Sequence, residues 1–206
     1  MLNDTEKYKI IERYTERFKK YGIDFRTLNP GSEEKQRIQH SIHSSIGELN
    51  NRTILDIGCG LASYYEFLLS KGFKVNYIGY DIVEPFIECN RERFPEAHFE
   101  TRDIFREGIV HSADYVCMCQ VFNNKYDAID NEEVVKKAIA LAFDAARIGI
   151  SIDMLTKYVN YEVEGLYYFL PENLFSYAKS LTRFVMLRHD YLPFDFTLFL
   201  YKDRTS

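Results

Sequence analysis

The chain has 206 residues, of which 46% are hydrophobic and 28% charged, and it carries a net charge of −5. That is enough apolar material for one α/β core and too ordinary a mixture for a disordered or fibrous chain; the acidic balance disfavours a nucleic-acid partner, whose phosphates call for a positive surface. There is no apolar run of membrane length and no secretory leader, and the four cysteines have no zinc-type spacing, so free thiols, no metal and a reducing, cytoplasmic setting are expected.

Residues 5–21 read as an amphipathic helix, with Tyr8, Ile11, Tyr14 and Phe18 at three- and four-residue steps. Its basic residues Lys7, Lys9, Arg13, Arg17, Lys19 and Lys20 are interleaved with Glu6, Glu12 and Glu16, the pattern of a solvated face. Asn29-Pro30-Gly31 is a break. Ser32-Glu33-Glu34-Lys35 then starts a second helix of capping-box type, predicted to run to about Leu49. Residues 1–50 are thus a helical extension packed on the rest of a single domain, residues 51–206.

The stretch ILDIGCGLASYYEFL, residues 54–68, has the form of a buried strand, a glycine turn and a helix. Gly58 and Gly60 let the backbone turn and approach a ligand without a Cβ in the way. A ligand there would meet backbone N–H groups and the positive end of a helix. Three ligand classes fit such a turn. A P-loop needs a Lys-Ser/Thr pair after the second glycine, and Leu61-Ala62-Ser63 excludes it. A dinucleotide turn, G-x-G-x-x-G, is weakened by Ser63 at the third glycine position. The third form, an acid followed by x-G-x-G, is Asp56-Ile57-Gly58-Cys59-Gly60, and here the chain resembles the class I S-adenosylmethionine-dependent methyltransferases. An acid at the strand end repels a pyrophosphate and suits the ammonium group of a methionine moiety.

The next strands carry the resemblance further. Residues 75–81 read as a strand ending in Asp81, 21 residues after Gly60. A carboxylate there would accept both ribose hydroxyls, or would cap the helix from Glu84. Ile82 would lie beside the adenosine. After a short strand at 97–101, Asp103-Ile104 matches the family's acid and backbone N–H at the adenine, although Asp is common in turns anyway. Phe105 would cover the adenine or fill the core. Residues 113–119 form a fourth strand with Asp114 at its start, far from the chemistry. Gln120, Phe122 and Asn123 follow its carboxyl end, where open α/β sheets bind ligands, and are candidates for the methionine moiety and the acceptor.

Residues 131–147 read as a long helix and 148–152 as a fifth strand. The segment LTKYVNYEVEGLYYFL, residues 155–170, places Tyr158, Tyr161 and Tyr168 where an acceptor could stack and hydrogen-bond, or where a lid would pack on itself. Pro171 opens another helix. Strands at 184–187 and 194–201 follow, joined by Arg188-His189-Asp190-Tyr191-Leu192-Pro193, read as a turn on the ligand edge. His189 is the candidate base for a hydroxyl acceptor, with Tyr191 and Arg188 orienting it; the plain alternative is an Arg188–Asp190 ion pair and a surface histidine. His40, His43, His98 and His111 are less well placed.

The resemblance implies a Rossmann-like doubly wound α/β sheet of seven strands with the last antiparallel. It implies S-adenosyl-L-methionine as cofactor, with Asp56, Gly58, Cys59, Gly60, Asp81, Ile82, Asp103, Ile104 and Gln120 in its site. The chain looks like small bacterial enzymes of sugar or surface-polysaccharide biosynthesis, so methyl transfer to a small polar acceptor, at oxygen before nitrogen, is expected. A non-catalytic binding module, an RNA methyltransferase and a nicotinamide-dependent oxidoreductase are the alternatives. Partners are a small-molecule acceptor and a homodimer mate; a membrane is not expected.

Overall fold

A computed structural model describes residues 4–28 and 31–203, so Asn29 and Pro30 of the predicted break lie outside the described residues. Seven strands, β1 (Thr53–Ile57), β2 (Asn76–Asp81), β3 (His98–Thr101), β4 (Ala113–Met118), β5 (Ala146–Leu155), β6 (Phe184–Leu192) and β7 (Asp195–Tyr201), form one sheet of order β3-β2-β1-β4-β5-β7-β6. β7 is antiparallel to both its neighbours, while the other pairings are parallel. The implied fold is therefore correct. An all-parallel dinucleotide sheet of order 3-2-1-4-5-6 has no such inserted strand.

Helices cover both faces, as a sheet with parallel strands requires. α7 (Asn131–Ala145) and α8 (Pro171–Leu181) bury Val134, Ile139 and Leu174 against one face. α3 (Glu33–Ser44), α4 (Ser63–Ser70) and α5 (Glu84–Arg93) bury Ile42, Tyr64, Leu68 and Ile87 on the other. Local chemistry sets the helix starts. Ser32 accepts the Lys35 N–H at 3.1 Å, Asp130 accepts that of Glu132 at 2.8 Å, and Pro171 takes the first turn of α8.

Three predicted boundaries move. α3 stops at Ser44, and Leu49 is buried beyond it as a core residue in the turn before β1. β5 runs Ala146–Leu155, because β4 pairs with it from Ala146 and β7 from Gly149 to Leu155. The largest change is β6. The segment read as a turn at Arg188 to Tyr191 is strand, and the turn is only Pro193-Phe194. Arg188 pairs with Thr197 and Leu192 with Asp195, so His189, Asp190 and Tyr191 face Phe196 alone. This is a bulge on an edge strand, where polar residues conceal the alternation that marks buried strands.

α1 (Asp4–Tyr21) and the short α2 (Phe25–Leu28) lie over the carboxyl end of the sheet. Ile11, Tyr14 and Phe18 pack with Leu61, Val83 and Phe86, and the Phe18 and Phe86 rings meet edge-on at 5.5 Å. Tyr8 does not share that stripe: it is 70% exposed, and Ile10 packs inward instead. Nor is the basic face merely solvated. Lys7 pairs with Asp103 at 3.0 Å, Lys9 with Asp127 at 2.8 Å, and Arg13 donates to the Asn124 side chain at 2.7 Å. Exposed contacts of this kind add little to stability, so the apolar seam dominates the docking and the polar contacts set the register.

Candidate functional site

A cleft opens at the carboxyl ends of β1, β2 and β4. It is lined by Asp56, Gly58, Cys59 and Gly60 from the first turn, Asp81 and Ile82 from the second, Asp103 and Ile104 from the third, and Gln120 and Phe122 from the fourth. All the residues expected at a cofactor thus come together, with Phe122 from the expected acceptor set. Asn123, Tyr158, Tyr161, Tyr168, Arg188, His189 and Tyr191 do not line it.

The glycine turn is shaped from within. Gly58 and Cys59 donate their N–H groups to the Tyr80 carbonyl at 2.7 and 2.9 Å, and Gly60 donates to Asp81 Oδ2 at 2.8 Å. The N–H groups that a phosphate would need are committed elsewhere. Gly58 and Gly60 have φ of +74° and +52°, and a Cβ on them would stand 2.7 Å from Val121 and 2.8 Å from Leu28. The turn therefore requires glycine for both conformation and space.

Asp81 accepts from Gly60 N with one oxygen and from Val83 N, at 2.9 Å, with the other. An ionised carboxylate has about four acceptor positions, so acceptor capacity remains for a ligand. Burial raises its pKa, and the backbone donors of Val83, Gly60 and Ile82 oppose that. Asp103 caps α6 (Ile104–Glu107) through the Phe105 N–H at 3.0 Å and holds Lys7. The plain turn role is thus realised at Asp103, as a helix cap, and Asp103 still borders the cleft, whereas the cap expected of Asp81 is not formed, because α5 starts from Val83 with no side-chain cap.

Asp56 is the most unusual group. Its Oδ2 accepts the Tyr77 hydroxyl, while buried Oδ1 has no hydrogen-bond partner among the described residues. Burial pushes its carboxyl up to about 7, against the lowering effects of Tyr77 and His43. An orphaned acceptor of this kind is expensive unless a donor reaches it. A ligand ammonium at this end of the cleft would supply one.

Beneath the cleft runs a network that the sequence did not reveal. Asp153 on β5 accepts the Gln120 N–H at 2.6 Å and its side-chain amide at 2.7 Å, and lies 3.4 Å from His43 Nε2. Ser151 Oγ hydrogen-bonds His43 Nδ1 at 2.7 Å. These contacts hold Gln120 at φ +59°, a left-handed position rare without glycine. Burial depresses the His43 imidazole, but Cys119 and Asp153 outweigh it and hold His43 above its ordinary value. Burial raises Asp153, and His43 and Gln120 more than reverse that. Asn123 ties the loop together by donating to Gln120 Oε1 at 2.8 Å and accepting the Leu155 N–H at 3.1 Å.

The expectation that His40 is less well placed is corrected, whereas His43 is wholly buried and does not line the cleft. His43 sits under the cleft, and His40 lines it beside Tyr64. Burial, then the nearby His43, drives His40 down to about 3, so it is neutral near pH 7. Ile10, Tyr14, Leu28 and Gln36 complete the wall from the N-terminal helices. Of these only Tyr14 had a signal in the sequence, the apolar spacing of the first helix. His189, by contrast, lies in the β6 bulge with its ring 6.2 Å from Tyr158 and 6.3 Å from Phe196. Tyr191 hydrogen-bonds Thr197 at 2.7 Å, and Arg188 forms the ion pair with Asp190. Tyr161 is 76% exposed, Tyr158 bonds Glu172, and Tyr168 accepts the Val163 N–H at 3.0 Å.

No family profile matches the chain. It is 30% identical over 155 residues, 73% of this chain and 93% of the relative, to the Mycobacterium tuberculosis protein named "Putative methyltransferase Rv1506c". It resembles in fold the magnesium protoporphyrin IX methyltransferase (ChlM) of Synechocystis PCC 6803 with bound SAH, with TM-score 0.66, 14% identity, and coverage of 95% of this chain and 100% of that one. It also resembles the Haemonchus contortus phosphoethanolamine N-methyltransferase 1, with TM-score 0.62, 14% identity, and coverage of 99% of this chain and 51% of that one. With this sequence relationship, the sheet order and the acid-x-G-x-G turn, the chain belongs to the class I S-adenosylmethionine-dependent methyltransferase family.

Proposed function

We propose that the cleft holds S-adenosylmethionine and that the protein passes its methyl group to a small polar acceptor, a hydroxyl of a sugar, nucleotide-sugar or related metabolite being favoured. The observation that carries this reading is the orphaned Asp56 Oδ1 at one end of a cleft whose other walls are Asp81 and Asp103-Ile104. Asp56 receives the ammonium, Asp81 the two ribose hydroxyls, and Asp103-Ile104 the adenine edge, once Lys7 yields part of its hold on Asp103. Bound there, the cofactor supplies an electrophilic methyl carbon on a sulfonium. The residues around the cleft would position the acceptor oxygen to form its bond to that carbon as the carbon–sulfur bond breaks, S-adenosylhomocysteine being the leaving group and solvent water taking the acceptor proton.

The uncharged polar groups around the cleft, Tyr14, Gln36, His40, Gln120 and Asn124, suit a hydroxyl. A neutral imidazole such as His40 can accept a hydrogen bond from it and orient it. Its low pKa makes it a weak proton acceptor, so positioning carries most of the acceleration. The α1–α2 cover supports a small acceptor over a polymer.

Titration of the purified protein with S-adenosylhomocysteine and, separately, NAD tests the cofactor. Binding of the first alone is expected; binding of NAD alone overturns the reading. A screen of sugars and nucleotide-sugars for methyl transfer then tests the acceptor, and turnover with amines only would displace the oxygen preference.

Cofactor affinity should depend on pH through Asp56. Its carboxyl is largely protonated below about 7, while an ammonium binds the ionised form. Affinity should therefore rise with pH, by up to about tenfold per unit below 7, and level off above it. Calorimetry in buffers of different ionisation enthalpy should show a proton released on binding below that point. A flat profile would remove Asp56 from the ammonium site.

A further inference from the structure

Outside the cleft, on the edge strand β3, three metal-type side chains converge. His98 and Glu100 are two residues apart and so share a face of the strand. His111 reaches the same face from the loop before β4, and its ring centroid lies 5.0 Å from that of His98. Glu100 Oε2 is 3.8 Å from His98 Nε2 and 3.7 Å from His111 Nδ1. The three candidate ligand atoms all lie within 4.8 Å of one another.

The carboxylate is aimed. Arg102 holds Oε1 at 2.5 Å and is itself fixed by the carbonyls of Glu107 and Gly108. Oε2 is left turned toward the two imidazoles, buried, with no hydrogen-bond partner among the described residues. The Tyr80 hydroxyl bonds His111 Nδ1, and because an imidazole nitrogen has a single lone pair, a metal at Nδ1 takes the place of that hydrogen bond. Ligands of a four-coordinate zinc stand about 3.3 Å apart, given bonds of about 2.0–2.1 Å. Glu100 Oε2 is within about 0.5 Å of that spacing from both imidazoles, and the widest pair stands up to 4.8 Å apart, so rotations of the two imidazoles must close up to about 1.5 Å.

We propose that His98, Glu100 and His111 form a binding site for a divalent first-row transition metal of the zinc class. Two imidazoles and one carboxylate suit zinc, whereas magnesium and calcium want oxygen ligands. The site is half open to solvent, so water completes the coordination. It stands beside Arg102, which also borders the cleft, and it is independent of the reading of that cleft.

The test is calorimetric titration of the full chain with zinc chloride, with magnesium chloride as the comparison. One equivalent of zinc should bind in the micromolar range and magnesium should not. His98→Ala, Glu100→Gln and His111→Ala should each weaken zinc at least about tenfold. His98 is mostly exposed, so its variant should melt in metal-free buffer as the parent does, and zinc should raise the melting temperature of the parent only. Zinc binding unchanged in all three variants would place the metal elsewhere, for instance at His43, Cys119 and Asp153. Either that result or the absence of zinc binding overturns the proposal.

Discussion

Replacing Asp153 by Ala should lower the free energy of unfolding by about 3–5 kcal/mol, the scale of breaking one side of a buried ion pair. Asp153 and His43 are both wholly buried, so the surviving imidazole has no water to turn to. The same change releases the Gln120 N–H and side-chain amide, and with them the restraint on its left-handed backbone. Against a typical stability of about 5–15 kcal/mol, this is a large fraction. Asp153→Asn keeps the shape and one acceptor but loses the charge, and should fall between the two. Denaturant unfolding measures all three, and a loss under about 1 kcal/mol for Ala would mean that the pair does not hold the fold.

The pH dependence carries a sign. His43 is held above its ordinary value, so its stabilisation is complete below about pH 6.5 and is lost as pH rises through its folded value. Asp153 is held below its ordinary value, so its part is present above about pH 4 and is lost as pH falls. Both are present between those limits, and there the difference between parent and Ala variant should be greatest. His40 opposes this in part. It must stay neutral in the fold, so its contribution is present above about 6.5 and fades as pH falls toward about 3.

Why Asp153 and the two histidines escaped the sequence reading is instructive. Asp56 and Asp81 stand at the carboxyl ends of strands and Asp103-Ile104 and Gln120 just beyond them, so their positions relative to the cleft could be read from local order alone. His40 and His43 are three residues apart on a helix and look like ordinary polar positions. Only the sheet brings Asp153 to them, across more than a hundred residues. The N-terminal wall of the cleft is likewise non-local: nothing near Leu28 indicates that it will rest on Gly60. The β6 segment misled for the opposite reason. Arg188-His189-Asp190-Tyr191 has the polarity of a turn, yet an edge strand tolerates that polarity and a bulge absorbs the extra residues. The aromatic run at 155–170 resembled a pocket, but Tyr168 and Tyr158 spend their hydroxyls within the segment and on α8.

Asp81→Ala should reduce affinity for S-adenosylhomocysteine by roughly a hundredfold or more. The proposed contacts with two ribose hydroxyls would account for about 1–3 kcal/mol, the scale of hydrogen bonds to a charged group. The rest comes from the turn itself. Asp81 is the acceptor for both the Gly60 and the Val83 N–H groups, so its removal orphans two donors and loosens the glycine turn against which the ligand must lie. Asp81→Asn cannot rescue this, because its amide offers one acceptor oxygen and turns a donor toward the second N–H. The two contributions separate experimentally. Loss of the turn should appear in the melting temperature without ligand, whereas loss of the ribose contact should appear as a greater fall in affinity for the intact nucleoside than for methionine or homocysteine. An Asp81→Ala protein that melts early yet binds S-adenosylhomocysteine as tightly as the parent would leave Asp81 a structural brace for the turn, and the ribose would have to be held by another group.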